Sequence, residues 1–135
     1  MSIAGRYQHL KNEDLEDYFS ALGVPLIGRK MMLMSSPLME ITVEGDLYLI
    51  KSSSLFRSVD TKFKLNEEYE EKMPNTTIKS ITTRPNDNEL VTHSVIPEKN
   101  TSCGRHFVFN EDGCTVTLTH ENAKTPAKRY FQRIK

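Results

Sequence analysis

The sequence predicts an all-β antiparallel fold with a short helical pair set into it near the start. Three observations predict it: the hydrophobic period switches from helical to two near Leu38, turn signals recur about every 8 to 15 residues from there on, and 135 residues suffice for one domain and not two. Many short strands in series form either a sandwich or a closed barrel. Closing so long a meander removes its edges, and the helices can then cap one mouth.

The elements follow in order. A short apolar-polar segment around Tyr7 reads as a first strand. In Asn12–Gly23, Leu15, Tyr18, Phe19 and Leu22 fall at i, i+3, i+4 and i+7 and so line one helical face. Asn12 is expected to cap this helix, Glu13 and Asp14 to sit at the positive end of its dipole, and Gly23 to supply a left-handed stop. A second short helix is expected after Pro25, through Arg29, Lys30, Met31 and Met32, ending before Pro37. DNA-binding helix pairs share this outline, but they work with a basic surplus that is lacking here. Met39, Ile41 and Val43 then alternate with Glu40, Thr42 and Glu44 up to a Gly45-Asp46 turn. Val59, Thr61, Phe63 and Leu65 alternate with Asp60, Lys62 and Lys64. Leu90-Val91, the Arg105/Phe107/Phe109 set and the Val116/Leu118 pair follow, each after a turn. The expected total is about ten strands, one before the helices and nine after. The chain has no internal repeat or linker and is expected to form one domain over residues 1–135.

Composition narrows the function classes. Apolar residues make up 37% and charged residues 27%, a globular balance. Lys+Arg and Asp+Glu each total 18, so formal charge cancels. A general polyanion binder needs a basic excess, and no nucleic-acid partner is expected. No basic-then-apolar leader opens the sequence, and no apolar run approaches the roughly 18 residues of a membrane span. A cytoplasmic location is expected, so Asn75-Thr76-Thr77 and Asn100-Thr101-Ser102 read as turns rather than glycosylation sites. Cys103 and Cys114 are too few for a disulfide framework and lack zinc-site spacing, which predicts two reduced thiols.

No catalytic constellation is legible: there is no nucleophile elbow, no phosphate-cradling glycine loop and no histidine pair at ligand spacing. His9, His93, His106 and His120 stand singly. Met73, Ser80, Thr82 and Ser94 read as strand or loop residues. No enzyme, metal or cofactor is expected. The informative residues are arginines on strands. Arg105 shares its parity with Phe107 and Phe109, and Arg129 with Phe131 and Arg133. An arginine on an apolar strand face points inward, where an unpaired charge costs several kcal/mol, about 3 or more. Three arrangements resolve this: a flipped register, an internal pair with a glutamate, or a ligand carboxylate held bidentately by the guanidinium. In the third, apolar walls would bury an alkyl tail at about 0.8 kcal/mol per methylene.

The chain resembles the intracellular lipid-binding proteins, which include fatty-acid-binding and cellular retinoid-binding proteins. The likeness rests on Gly5-Arg6-Tyr7, on Glu13 through Gly23 and Val24, on Pro37, on Gly45-Asp46 and on Ser54-Leu55-Phe56-Arg57. It continues through Phe63 to Glu71, Thr117 to His120 and Lys128 to Ile134, in family order and spacing. It implies a ten-stranded up-and-down barrel with a helix-turn-helix lid around a cavity, and a carrier that binds a long-chain fatty acid or similar hydrophobic carboxylate non-covalently. It also implies that Arg105 and Arg129 hold the head group. Phe131, Tyr18, Phe19, Phe56, Pro37, Val116 and Leu118 are expected around the ligand, and Arg29, Lys30, Phe56 and Asn75 at the portal. His9 stands where the family usually has an apolar residue, and Leu15 where it has an aromatic one. The C-terminal Arg-x-Tyr motif reads Arg129-Tyr130-Phe131, without the hydroxyl; a shifted frame, Lys128-Arg129-Tyr130, restores the tyrosine and loses the arginine. The first frame leaves the usual spacing to the end. Alternative ligands are a retinoid, a bile acid or another bulky hydrophobe, and a ligand-free interaction module is the remaining alternative. A monomer is expected. Arg29 and Lys30 are either a transient membrane contact or an ordinary solvated face.

Overall fold

The computed structural model describes residues 2–55, 57–73 and 76–134. β1 (Gly5–Glu13) leads into α1 (Leu15–Ala21) and α2 (Leu26–Met34). Then come β2 (Leu38–Glu44), β3 (Leu47–Ser53), β4 (Ser58–Lys64), β5 (Tyr69–Lys72), β6 (Thr77–Asn86), β7 (Glu89–Ile96), β8 (Thr101–Phe109), β9 (Gly113–His120) and β10 (Ala127–Ile134). All ten strands belong to one antiparallel sheet in the order β4-β3-β2-β1-β10-β9-β8-β7-β6-β5. The expected strand count and placement of the helices hold. Closure differs from expectation in one place: β4 and β5 are consecutive in the chain but are the two ends of the sheet, and no backbone ladder joins them. β5 has only four residues, and side chains bridge one end of the seam instead. The Phe63 ring of β4 stacks between Tyr48 of β3, at 5.5 Å, and Tyr69 of β5, at 5.1 Å. Arg84 of β6 donates to the Tyr48 hydroxyl at 2.9 Å, tying the two sides together.

α1 buries Leu15, Tyr18 and Phe19, and Leu22 follows at its C-terminus, also buried. Burying each such side chain contributes about 2 kcal/mol. The helix ends as its glycine dictates. Gly23 has φ 79°, its N–H donates to Ser20 O, and the next N–H, of Val24, reaches back to Phe19 O at 3.1 Å. Lys99 Nζ donates to Leu22 O at 3.0 Å, pinning this end to the turn after β7. The helix start departs from expectation. β1 continues through Glu13, Asp14 holds the cap position with φ 54° and no side-chain cap hydrogen bond, and Asn12 lies in the strand opposite Arg129. Asn12 cannot cap because its side chain is engaged across the sheet, as described below. α2 begins after Pro25 and stops before Pro37 as expected, but none of its side chains is fully buried, and Met32 and Leu33 only half-bury against the core. No helix among the described residues is long and apolar enough to cross a membrane.

At the end of the barrel away from α2, Tyr7 packs edge-on against Phe109 at 5.5 Å and carries the Arg133 guanidinium over its ring at 4.9 Å. Gly113 lets β9 pass close under β10: a Cβ there would lie 2.0 Å from Phe131 O. Because that neighbour is backbone, Gly113→Ala is expected to destabilise the protein by about 2 kcal/mol or more, read as a lowered midpoint in urea with an unchanged m-value.

Candidate functional site

Strand alternation decides which side chains meet inside the barrel. Met39, Ile50, Phe107, Val116, Leu118 and Phe131 line a cavity of about 650 Å³, with Arg105, Arg129 and Glu71 among them. The cavity reaches the surface along the unpaired seam, between Ser58, Asp60 and Lys62 of β4 and Glu70 and Lys72 of β5. A second space of about 430 Å³ lies beneath α2, with Val24, Pro25, Gly28, Met31, Met32 and Pro37 on one side and Ser52, Ser54, Arg57 and Val59 on the other. Arg129 lines both spaces. It stands where the groove under the lid meets the interior.

Arg105 and Arg129 have different surroundings. Arg105 Nη2 is ion-paired to Glu71, the internal pair that was one of the open arrangements for this residue. Glu71 Oε2 also accepts the Ser80 hydroxyl at 2.6 Å, and Ser80 is bonded to Ser94 at 2.7 Å. One layer further along the same strands, Tyr69 bonds Thr82 at 2.6 Å and Thr82 bonds Thr92 at 2.7 Å. Burial is the largest influence and pulls the Arg105 pKa down, but the charge and the hydrogen bond of Glu71, with smaller contributions from Tyr69 and Tyr18, together outweigh it and the net shift is upward. Arg105 is thus a charged group already compensated within the protein.

Arg129 has no such partner. Its Nε donates to Asn12 Oδ1 at 3.0 Å, and its guanidinium carbon lies 5.9 Å from the centre of the Phe131 ring. Its Nη2 is buried without a hydrogen-bond partner among the described residues. The ion pairs among those residues are Arg105–Glu71 and His106–Glu89, so no carboxylate neutralises Arg129. Burial holds its pKa below the ordinary arginine value. An uncompensated donor facing an apolar chamber is a place where an anion gains charge-assisted hydrogen bonds at little further desolvation.

The remaining predicted residues fall in distinct places. Phe131 faces inward, edge-on to His9 at 5.5 Å, while Tyr130 lies on the opposite face of β10 under Lys11 Nζ, 4.9 Å from its ring. Arg129 and Phe131 are therefore the inward pair, and the frame with Tyr130 is not. Val116, Leu118 and Pro37 line the spaces described above. Tyr18 and Phe19 are in the core under the lid and are not part of the wall of either space. Arg29 is half-buried and Lys30 exposed, and neither faces the groove. Phe56 and Asn75 lie outside the described residues.

Sequence reasoning missed Glu71, His9, Asn12 and Arg57. Glu71 was detectable in principle, since it shares the inward parity of Tyr69 on β5. Cys103 and Cys114 are free and buried. Burial pushes the Cys114 thiol up to about 12 and raises Cys103 as well, so neither ionises readily as a nucleophile.

Comparison with known proteins agrees with this geometry. Residues 4–118 match the model of the lipocalin / cytosolic fatty-acid binding protein family. The chain belongs to that family. A fatty acid-binding protein of Tyrophagus putrescentiae is 33% identical over 120 residues, 88% of this chain and 89% of that one. One from Lepidoglyphus destructor is 30% identical over 129 residues, 95% of this chain and 98% of that one. Among solved structures, a Schistosoma mansoni fatty acid binding protein in complex with arachidonic acid superposes with a TM-score of 0.91. It is 22% identical and the match covers 98% of this chain and 96% of that one. A Drosophila melanogaster brain fatty-acid-binding protein gives a TM-score of 0.87 at 28% identity, covering 98% and 99%.

In this barrel the Arg105–Glu71 pair is half of a buried network, and deleting one partner strands the other charge. Glu71→Ala is expected to lower stability by about 3 kcal/mol in chemical denaturation, and the double variant Glu71→Ala/Arg105→Leu to recover much of that loss.

Proposed function

We propose that the protein is a cytosolic carrier that takes a long-chain fatty acid, or a similar hydrophobic carboxylate, non-covalently into its interior, with Arg129 receiving the carboxylate. The observation that carries this is the buried, unpartnered Nη2 of Arg129 at the junction of the groove and the cavity. The interior space of about 650 Å³ is within the range of small-molecule sites, roughly 300–1,000 Å³. Its apolar wall suits an alkyl chain, and the names of the relatives and the arachidonic acid of the Schistosoma protein support that ligand class. Arg105 takes part at one remove, since its charge is balanced by Glu71, and this reading gives the head group to one arginine where two were expected. The groove under α2 serves as the entrance. The chain acts as one domain and as a monomer, and performs no chemistry on its ligand.

Titrating oleate and oleyl alcohol into delipidated protein tests the reading. Hydrogen bonds to a charged group contribute about 1.5–3 kcal/mol, so Arg129→Ala is expected to weaken oleate binding by about 10- to 100-fold. Oleyl alcohol, which has no carboxylate, is expected to change by less than about threefold. Absence of saturable oleate uptake by the unaltered protein would remove the proposal.

Delivery through transient contact with an anionic membrane surface is a subsidiary part of the reading. It rests on Lys30, exposed on a helix that carries no acidic residue, with half-buried Arg29 beside it. Each basic residue near such a surface contributes about 1 kcal/mol. Reversing both charges is expected to slow ligand transfer to anionic vesicles more than to neutral ones, and equal slowing would exclude the electrostatic contribution.

A further inference from the structure

The Arg129 site has a second layer built from β1. The register of β1 against β10 shifts between His9 and Lys11: His9 lies opposite Phe131, Lys11 opposite Tyr130 and Asn12 opposite Arg129. Leu10 is the extra residue, 59% exposed. In a regular strand, residues three apart point to opposite faces. The bulge resets the alternation, so His9 and Asn12 both face the interior. His9 Nε2 lies 2.6 Å from Asn12 Oδ1, the oxygen that also accepts the Arg129 Nε–H.

An amide oxygen only accepts, so Nε2 carries the proton of the neutral imidazole. Nδ1 then presents its lone pair 3.4 Å from Ser36 Oγ. That hydroxyl donates its own proton to His9 O at 3.1 Å, so its oxygen is able to accept. Protonating Nδ1 therefore places a donor before an acceptor and breaks none of these bonds. The ring can titrate without dismantling the site.

We infer that His9 and Asn12 are positioning residues for Arg129, and that His9 takes up a proton when a carboxylate binds there, so that the site holds its anion more tightly as pH falls. This rests on the proposed function and adds a control to the same site. The charged group facing His9 is Arg129 of β10. Arg133, further along that face, is bonded to Ser2 O and Tyr7. The Lys11 ammonium is on the outer face over Tyr130, with only its backbone acting on the ring. The link from α2 to β2 contributes uncharged Ser36 and Pro37. Among the described residues no carboxylate is within ion-pair distance of His9 or Arg129.

Burial, and to a smaller extent the Arg129 charge, hold His9 below its ordinary 6.5, while the Asn12 bond opposes them. A carboxylate on Arg129 cancels the repulsion, so the imidazole pKa is higher in the complex than in the free protein. By linkage, the added affinity is fully present below the free-protein value and is lost as pH rises through the value of the complex. One proton limits the slope to about tenfold in affinity per pH unit.

Oleate and oleyl alcohol binding measured between pH 5.5 and pH 8 tests this, together with an NMR titration of the His9 imidazole in ligand-free protein. For the unaltered protein, oleate affinity is expected to rise by about three- to tenfold on going to the lower pH, with oleyl alcohol flat. His9→Leu should flatten the oleate profile and weaken binding at pH 8. His9→Gln, which keeps an N–H donor but does not titrate, should be flat yet bind at pH 8 like the unaltered protein. Arg129→Gln should raise the His9 titration midpoint. The inference is overturned if His9→Leu keeps the slope, if oleyl alcohol shares it, or if Arg129→Gln leaves the midpoint in place. A protein that takes up no oleate at any pH defeats the carrier reading, and the ligand-free titration still decides whether His9 and Arg129 are coupled.

Discussion

A ten-stranded meander rolled into a barrel is too wide for its own side chains to fill. That constraint governs the rest of the molecule. Because each strand alternates faces, every second residue projects into a space that must be occupied by side chains, water or a ligand. Aromatic and aliphatic side chains fill the end near Tyr7 and Phe109, and the core under α1 is filled by Tyr18 and Phe19. Between these layers the chamber remains open, and it is there that charged residues face inward.

Inside such a chamber, two residues of the same type acquire opposite meanings from their neighbours. Arg105 meets Glu71, and the serine and threonine hydroxyls of β6 and β7 extend that pair into a satisfied polar wall. A fully bonded network of this kind holds the wall in place and has no charge to spare. Arg129 meets an amide, itself bonded to the His9 imidazole, and a phenyl ring, none of which carries a negative charge. The difference between the compensated cation and the uncompensated one is one carboxylate on β5.

The least tightly held parts of the shell are grouped together. α2 has no fully buried side chain, and the neighbouring β4–β5 seam relies on stacked rings where backbone hydrogen bonds are missing. Elements with few buried apolar contacts open at lower free energy than the sheet they rest on. The groove under α2 and the seam both lead to the same interior, and Arg57 lines both spaces while donating to Lys72 O at 3.2 Å.

Much of the fold was legible because it depends on local rules. Period-two alternation marks strands whatever their partners, Leu15, Tyr18, Phe19 and Leu22 mark a helical face, and Gly23 marks its end. The same alternation put Arg105, Arg129 and Phe131 on apolar strand faces, with a flipped register left open. What it could not reach were relations between strands distant in sequence. Glu71 is 34 residues from Arg105, and the pair exists only because the sheet wraps round to bring β5 and β8 onto one chamber. Asn12 read locally as a helix cap, a role its residue type favours, until pairing with β10 extended β1 past it. The single extra residue at Leu10 then turned both His9 and Asn12 toward Arg129, against the alternation of a regular strand. By itself the sequence determined an antiparallel meander with a helical pair near its start and arginines on apolar strand faces, and its resemblance to the lipid-binding proteins implied the lidded barrel. Only the tertiary structure decided which of those cations was left without a counter-charge, because that depends on register between strands and not on the pattern within any one of them.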